Sequence, residues 1–182
     1  KDGKTPEGFD IDIITEIAKR LGLKVNFINT SFDGILGKIG KDYDVVCSAV
    51  TINPTRKKAV LFSTPYITNY QTVVVKKGSD LKINSLKDLD GKSVGVQKGT
   101  TSDQLMSEYK STKTINVEVA ANDKLLNCFT QLTNGEIDAV VVDSTVADGF
   151  VAKNPDKYEK AFSDKTEPEE FGIAIGKNNA KL

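Results

Sequence analysis

One stretch limits the possible folds more than any other. It is Asp44–Tyr66, DVVCSAVTINPTRKKAVLFSTPY. Val45, Val46, Cys47, Ala49 and Val50 form a short, nearly unbroken apolar run, the pattern of a strand covered on both faces. Asn53-Pro54 follows, and asparagine before proline reads as a helix N-cap with proline at the first helical position. Arg56 then falls in the first turn of a short helix, where the positive end of the helix dipole does not favour a cation. Two explanations of Arg56 stay open. Either it is exposed to solvent beside Lys57 and Lys58, or its planar guanidinium faces a pocket and grips an anion. Thr51 stands just beyond the strand, where open α/β sheets bind ligands.

The same alternation of strand and helix runs along the chain. Lys1–Gly8 reads as a turn, with Gly3, Pro6 and Gly8 as breakers. Asp10 is placed as the cap of a helix in which Ile11, Ile14, Ile17, Ala18 and Leu21 recur at helical spacing and Gly22 gives the stop. LKVNFIN (Leu23–Asn29) alternates like a strand, and Phe32–Gly40 reads as a short glycine-rich helix. Gln71–Lys77 is an apolar strand and Ser85–Leu89 one or two helical turns. Ser93–Gln97 is a strand, and Gly99-Thr100-Thr101 leads into a helix through Tyr109, with Thr101 and Gln104 spaced as a capping box. Asn116–Ala120 is a strand. Asn122 caps a helix carrying Leu125, Leu126, Phe129 and Leu132, stopped by Gly135. Ile137–Asp143 is a buried strand, Ser144–Lys153 a helix, and Tyr158–Phe162 and Glu170–Gly176 two last strands. Such alternation points to parallel sheets flanked by helices. Lys41–Thr51 and Gly135–Thr145 share a pattern of turn, aspartate, apolar strand and hydroxyl, which two similar lobes or chance likeness of buried strands would each explain.

Composition narrows the function. The 182 residues carry 25 basic and 25 acidic side chains, a formal net charge of +0, with no long basic run, which argues against a nucleic-acid partner. No apolar segment approaches the length of a membrane span, and Lys1-Asp2-Gly3-Lys4 does not read as a signal sequence, so any targeting segment is expected to have been removed or never to have been present. Cys47 and Cys128 read as small buried hydrophobes rather than a disulfide or a nucleophile. The absence of histidine removes the usual general base and the commonest metal ligand. No metal site or cofactor is expected.

Three strand ends followed by helix starts are candidate ligand positions. The first is Thr51 with Arg56. The second is Gly99-Thr100-Thr101, either an ordinary capped helix or an anion site made of backbone N–H groups. The third is Asp143, either the N-cap of the next helix or an acid that meets a ligand. A guanidinium fork, N–H donors and an acid together complement an α-amino acid.

The motifs GFDIDIITEIAKRLG (Gly8–Gly22), Asp44–Tyr66, SLKDLDGKSVGVQKGTTS (Ser85–Ser102) and NGEIDAVVVDS (Asn134–Ser144) run in order through nearly the whole chain. They resemble the extracytoplasmic amino-acid-binding proteins of bacterial ABC importers, relatives of ionotropic glutamate receptor ligand cores. The resemblance implies an α/β, two-lobed periplasmic-binding-protein-like type II fold, with two crossing strands and closure on an amino acid. Lobe 1 would be 1–72 plus 170–182, and lobe 2 would be 73–169. Carried over, Arg56 would clamp the ligand carboxylate, with the Thr51 hydroxyl and the backbone of Ala49 also meeting the ligand; the family often has glycine where Ala49 stands. Thr101 N–H would hold the carboxylate, Asp143 would take the ammonium, and Phe32 would wall the site. Gln97 would help choose the side chain, expected to be polar and uncharged. The implied partners are that amino acid and a membrane ABC permease, with the protein a monomer in the periplasm or on the cell surface. Against the family pattern, a first strand before Lys1 and a last helix after Leu182 are missing. We therefore expect a fragment or an incomplete protein, or else a strand given by a second chain, with unpaired edges at Leu23–Asn29 and Val45–Val50. The alternatives are a sensory domain, and a dehydratase-like enzyme with Asp143 or Glu167 as its acid.

Overall fold

The computed structural model describes residues 6–179. The turn expected over Lys1–Gly8 therefore lies, as far as Thr5, outside the described residues. In chain order the elements are α1 (Phe9–Arg20), β1 (Val45–Val46), α2 (Pro54–Ala59), β2 (Leu61–Phe62), β3 (Ile67–Lys76), β4 (Ser93–Gln97), α3 (Thr101–Ser111), β5 (Glu118–Asn122), α4 (Leu125–Asn134), β6 (Ala139–Asp143), α5 (Ser144–Lys153), β7 (Tyr158–Phe171) and β8 (Ala174–Ile175). The chain divides into two units. Unit 1 is Lys1–Thr30, Gly34–Ile67 and Glu170–Leu182; unit 2 is Ser31–Asp33 and Thr68–Glu169. The chain leaves unit 1 along β3 and returns along β7.

In unit 1, β1 and β2 flank β8, each antiparallel to it and so parallel to each other. The apolar run that began as one strand is cut short. Ala49 has φ 49°, a left-handed conformation that takes the chain out of the extended region. Beyond it, Val50–Ile52 runs against 170–172. Gly172 N–H donates to Val50 O at 3.0 Å, Ile52 N–H to Glu170 O at 2.8 Å, and Thr51 stands opposite Phe171. The Asn53-Pro54 reading holds. Asn53 Oδ1 accepts the Arg56 N–H at 2.8 Å and Pro54 opens α2.

Three expectations for this unit are corrected. Asp10 does not cap α1. Gly8 holds that position without a side-chain bond, and Asp10 is already helical, so its carboxylate is directed elsewhere. Leu23–Asn29 forms no strand. β1 is an edge strand, and 25–30 and 45–48 line a groove of about 540 Å³ instead of pairing. Alternation of apolar residues makes a ladder only where a second strand takes up the N–H and C=O groups. Phe27 and Ile28 accordingly stay 40% and 51% exposed. The helix expected over Phe32–Gly40 shrinks to one 3-10 turn, Ile35–Lys38, entered from left-handed Gly34.

Unit 2 holds a five-stranded sheet in the order β5-β4-β6-β3-β7, with β4 parallel to β5 and β6, and β3 antiparallel to β6. The uninterrupted valine runs reflect burial on both faces. Val73, Val75, Val94, Val96 and Val141 pack on one side with Leu86, Leu89, Met106 and Val117. Val74, Val140 and Val142 point to the other side, onto Phe129, Leu132, Ala147 and Tyr158. Successive residues thus serve opposite cores, as the two-residue period of a strand requires.

Local chemistry moves several expected boundaries here. Thr100, not Thr101, caps α3. Its Oγ1 accepts the Asp103 N–H at 3.2 Å, and Asp103 Oδ2 accepts the Gly99 N–H at 3.0 Å. Asn122 closes β5, its amide bonded to Gln131 Oε1, and α4 starts only after Lys124. β5 begins two residues later than Asn116. The strand expected over Tyr158–Phe162 runs on to Phe171 as one strand of 14 residues, and the one expected over Glu170–Gly176 is divided between the end of that strand and the short β8. Cys128 is buried as expected, but Cys47 is only half-buried; both are free thiols.

Candidate functional site

The strand ends expected to carry ligand contacts are each held by a specific network, described unit by unit. In unit 1, burial removes one of the two readings of Arg56, exposure to solvent. Arg56 is 8% exposed, while Lys57 and Lys58 beside it are exposed. A guanidinium taken out of water needs oxygen partners. Arg56 Nη1 donates to Thr51 O at 3.0 Å. The segment from Thr51 to Arg56 is therefore closed on itself by this bond. Thr51 itself is 5% exposed. Ala49, half-buried, donates its N–H to Asp10 Oδ2 at 2.7 Å, and Cys47 Sγ donates to Asp10 O at 3.6 Å. Burial and the Asp10 charge push the Cys47 thiol up to about 12. The Tyr66 hydroxyl is also buried and makes no hydrogen bond among the described residues. Burial first, then the Asp10 charge, raises its pKa above the ordinary value.

In unit 2, Asp143 stands at the N-cap position of α5 but makes no capping bond. The cap is supplied by Asn69, whose Oδ1 accepts from Ser144 Oγ at 3.0 Å and Thr145 N–H at 3.3 Å. Asp143 Oδ1 instead accepts from Asn69 Nδ2 at 2.7 Å and from Gln71 Nε2 at 3.3 Å. Gln71, 5% exposed, is the centre of the network. Its Nε2 also lies 3.1 Å from Glu169 Oε1 and 3.2 Å from Thr101 Oγ1, and its Oε1 accepts from Ser102 Oγ at 2.6 Å. An amide nitrogen has two hydrogens, so three acceptors share them. Thr101 Oγ1 in turn donates to Glu169 Oε2 at 3.0 Å. One amide thus spans two carboxylates of different strands. Because Thr100 does the capping, the Thr101 hydroxyl is available for this network. The Gly99 turn (φ 76°) packs closely. A Cβ there would come within 3.1 Å of Asp33 Cα, so a side chain would meet both strain and contact.

Gln97 is tied at the end of β4, its Nε2 donating to Asp123 O at 3.2 Å. Phe32 is half-buried, in the Ser31–Asp33 segment that belongs to unit 2. Sequence reasoning named Arg56, Thr51, Ala49, Thr101, Asp143, Gln97 and Phe32, and missed Asp10, Asn69, Gln71 and Glu169. The signal for Asn69 and Gln71 was present: two amides at i and i+2 put polar groups on one face of β3, just ahead of its valine run. For Glu169 and Asp10 nothing in the local pattern separates them from surface acids. Among the described residues no group of side chains has the make-up of a metal site, and no helix is long and apolar enough to cross a membrane.

Known proteins place the chain. It is 35% identical over 177 residues to a probable histidine-binding protein of Campylobacter jejuni, covering 96% of this chain and 66% of that protein. It is 33% identical over 171 residues to the ABC transporter arginine-binding protein 1 of Escherichia coli, covering 93% and 67%. The chain spans about two thirds of the length of these curated relatives. The structure of holo ArgBP from T. maritima superimposes with a TM-score of 0.91 at 40% identity, covering all of this chain and 78% of that one. These are proteins of the two-lobed α/β type. The family model of bacterial extracellular solute-binding proteins, family 3, matches residues 1–126, and the chain belongs to that family.

Proposed function

We propose that the chain captures an amino acid outside the cytoplasm and presents it to an ABC importer, binding rather than transforming it. The observation that carries this reading is Arg56. It is a buried guanidinium at the start of a helix, fixed through Thr51, in a family whose named members here bind amino acids. In our reading Arg56, the Thr51 hydroxyl and the Ala49 backbone meet the ligand, with Arg56 on the carboxylate. Asp143 takes the ammonium, Thr101 N–H adds to the carboxylate contacts, Phe32 walls the site and Gln97 helps choose the side chain. We draw the lobes at 1–72 plus 170–182 and at 73–169, and read the protein as a monomer in the periplasm or on the cell surface.

Glu169 changes the expected ligand side chain. Asp143 alone matches one ammonium. A second carboxylate, Glu169, shares the same amide and adds negative charge at this place, and matched proteins are named for arginine and histidine. We therefore favour a polar, cationic side chain over the uncharged one expected from Gln97. The test is calorimetry with L-arginine, L-histidine, L-glutamine and L-aspartate. Tightest binding by L-arginine, lost in Asp143→Asn, fits the proposal. Heat evolved by none of the four rejects amino-acid binding, and a preference for L-glutamine rejects only the cationic side chain.

A further inference from the structure

Ala49 is held in a conformation that alanine avoids. Its φ of 49° lies in the left-handed region, where a Cβ crowds the backbone. What opposes that cost is a bond from far along the sequence. Asp10 Oδ2 accepts the Ala49 N–H at 2.7 Å, and the Asp10 carbonyl accepts from Cys47 Sγ at 3.6 Å. The first turn of α1 therefore fastens the end of β1 on both sides of Ser48. Tyr66 packs against Phe9 and Phe171, ring centroids 6.2 and 6.4 Å apart, and buries its hydroxyl near Asp10. Such surroundings strengthen a hydrogen bond to a carboxylate. Two residues beyond Ala49, Thr51 pairs with Phe171 and accepts from Arg56. A rotation at Ala49 would turn this whole segment.

We infer that Asp10 is a positioning residue. Its carboxylate locks Ala49 in the left-handed conformation and so sets the backbone that presents Ala49, Thr51 and Arg56 to the ligand. The inference rests on the proposed amino-acid site for its consequence, but not for the lock itself. A competing role is simpler: an acid in the first turn of α1 would favour the helix dipole, and that effect would be indifferent to residue 49.

The two are separated by four variants: Asp10→Ala, Asp10→Asn, Ala49→Gly and the double variant that joins Asp10→Ala to Ala49→Gly. In the ligand-free protein, hydrogen exchange of the Ala49 amide reads the lock. Asp10→Ala should speed it about tenfold or more, the equivalent of one hydrogen bond to a charged group, while Asp10→Asn, which keeps an acceptor oxygen, should change it far less. Unchanged exchange in Asp10→Ala overturns the inference, whether or not any ligand binds. Affinity for L-arginine, L-histidine and L-glutamine as probes reads the consequence. Asp10→Ala should weaken the best of them about tenfold against the parent. The double variant should lose about threefold or less against Ala49→Gly alone, since glycine takes the left-handed conformation without help. Equal losses from Asp10→Ala on the two backgrounds overturn the positioning role. Should Asp10→Ala fail to fold, Asp10→Asn carries both measurements, expected at near-parental values; a loss as large in Asp10→Asn as Arg56→Ala gives overturns the role. Absence of binding by the parent counts against the proposed function, and the exchange result then decides the inference alone.

Discussion

A single buried arginine gives the most direct test of the site. Removing a partner from a desolvated carboxylate–guanidinium pair leaves a buried charge uncompensated, so Arg56→Ala should cost about 2–5 kcal/mol of ligand binding. Because Arg56 Nη1 also donates to Thr51 O, the variant should lose some stability even without ligand. Arg56→Lys should not rescue binding, since an ammonium cannot form the two parallel bonds of the guanidinium fork. Calorimetry on both variants checks this, and full affinity in Arg56→Ala would falsify the role. The two thiols make a second residue-level prediction. Burial pushes Cys47 up to about 12 and Cys128 to about 11, both above the ordinary 9.0. A raised acid pKa means that the folded state favours the neutral thiol. Its contribution to stability is therefore whole below about pH 9 and is lost as pH climbs from there toward the folded values. At pH 8.5 iodoacetamide should alkylate both cysteines slowly in the native protein and quickly in urea. Rapid native labelling of Cys128 would contradict the burial seen here.

At the level of elements, the aromatic contact under α4 should dominate the stability of unit 2. Phe129 is 1% exposed, stacked on Phe150 at 3.9 Å and edge-on to Tyr158 at 5.1 Å. Tyr158 Oη also donates to Phe129 O, joining α4 to the start of β7. Phe129→Ala should cost about 3–5 kcal/mol, through lost burial and the cavity left behind. Urea denaturation followed by circular dichroism measures it, and a cost under about 1 kcal/mol would mean that the core repacks. The elements also show what a sequence discloses. The valine runs of β3 and β6 were legible because burial on both faces favours apolar side chains over a run of successive residues. Asn53-Pro54 was legible because its capping chemistry is local. Leu23–Asn29 was misread because a ladder depends on a partner that the segment's own pattern does not encode. The site residues divide in the same way. Arg56 and Asp143 follow or end apolar strands, which sequence can find. Gln71 meets Glu169 across 98 positions and Asp10 meets Ala49 across 39, and only folding brings them together. The start of α3 is the instructive middle case. Its hydroxyls were recognised, but the cap was given to Thr101 rather than Thr100. That one-residue shift decides which hydroxyl joins the Glu169 network.

For the whole molecule, the absence of histidine becomes a prediction about pH. The chain has none in 182 residues, and its charge is balanced at +0. Between about pH 6 and 8 the only side chains that ordinarily change charge are histidines. The groups above that window move further from it: burial raises Cys47, Cys128, Tyr43, Tyr66 and Tyr109, all away from neutrality. Below it, the resolved carboxylate shifts run downward. Asp88 is lowered by the backbone N–H groups of Asn84 and Ser85 that it accepts, and Glu159 by Lys77 and Gly78. None of these shifts among the described residues brings a group toward neutral pH. L-arginine is the suitable probe, because its own side chain stays protonated throughout, whereas L-histidine would titrate and import a pH dependence of its own. Its dissociation constant should vary by less than about threefold from pH 6 to pH 8, a change worth under about 0.7 kcal/mol. Stability in the same window should be equally flat, since a slope requires the folded and unfolded chains to bind different numbers of protons. The two measurements fail in different ways. A sloping affinity over flat stability would place a titrating group in the site itself, with Asp143 and Glu169, held by one shared amide, as the pair to examine first by Asp143→Asn and Glu169→Gln. Sloping stability with flat affinity would place that group in the fold, away from the ligand.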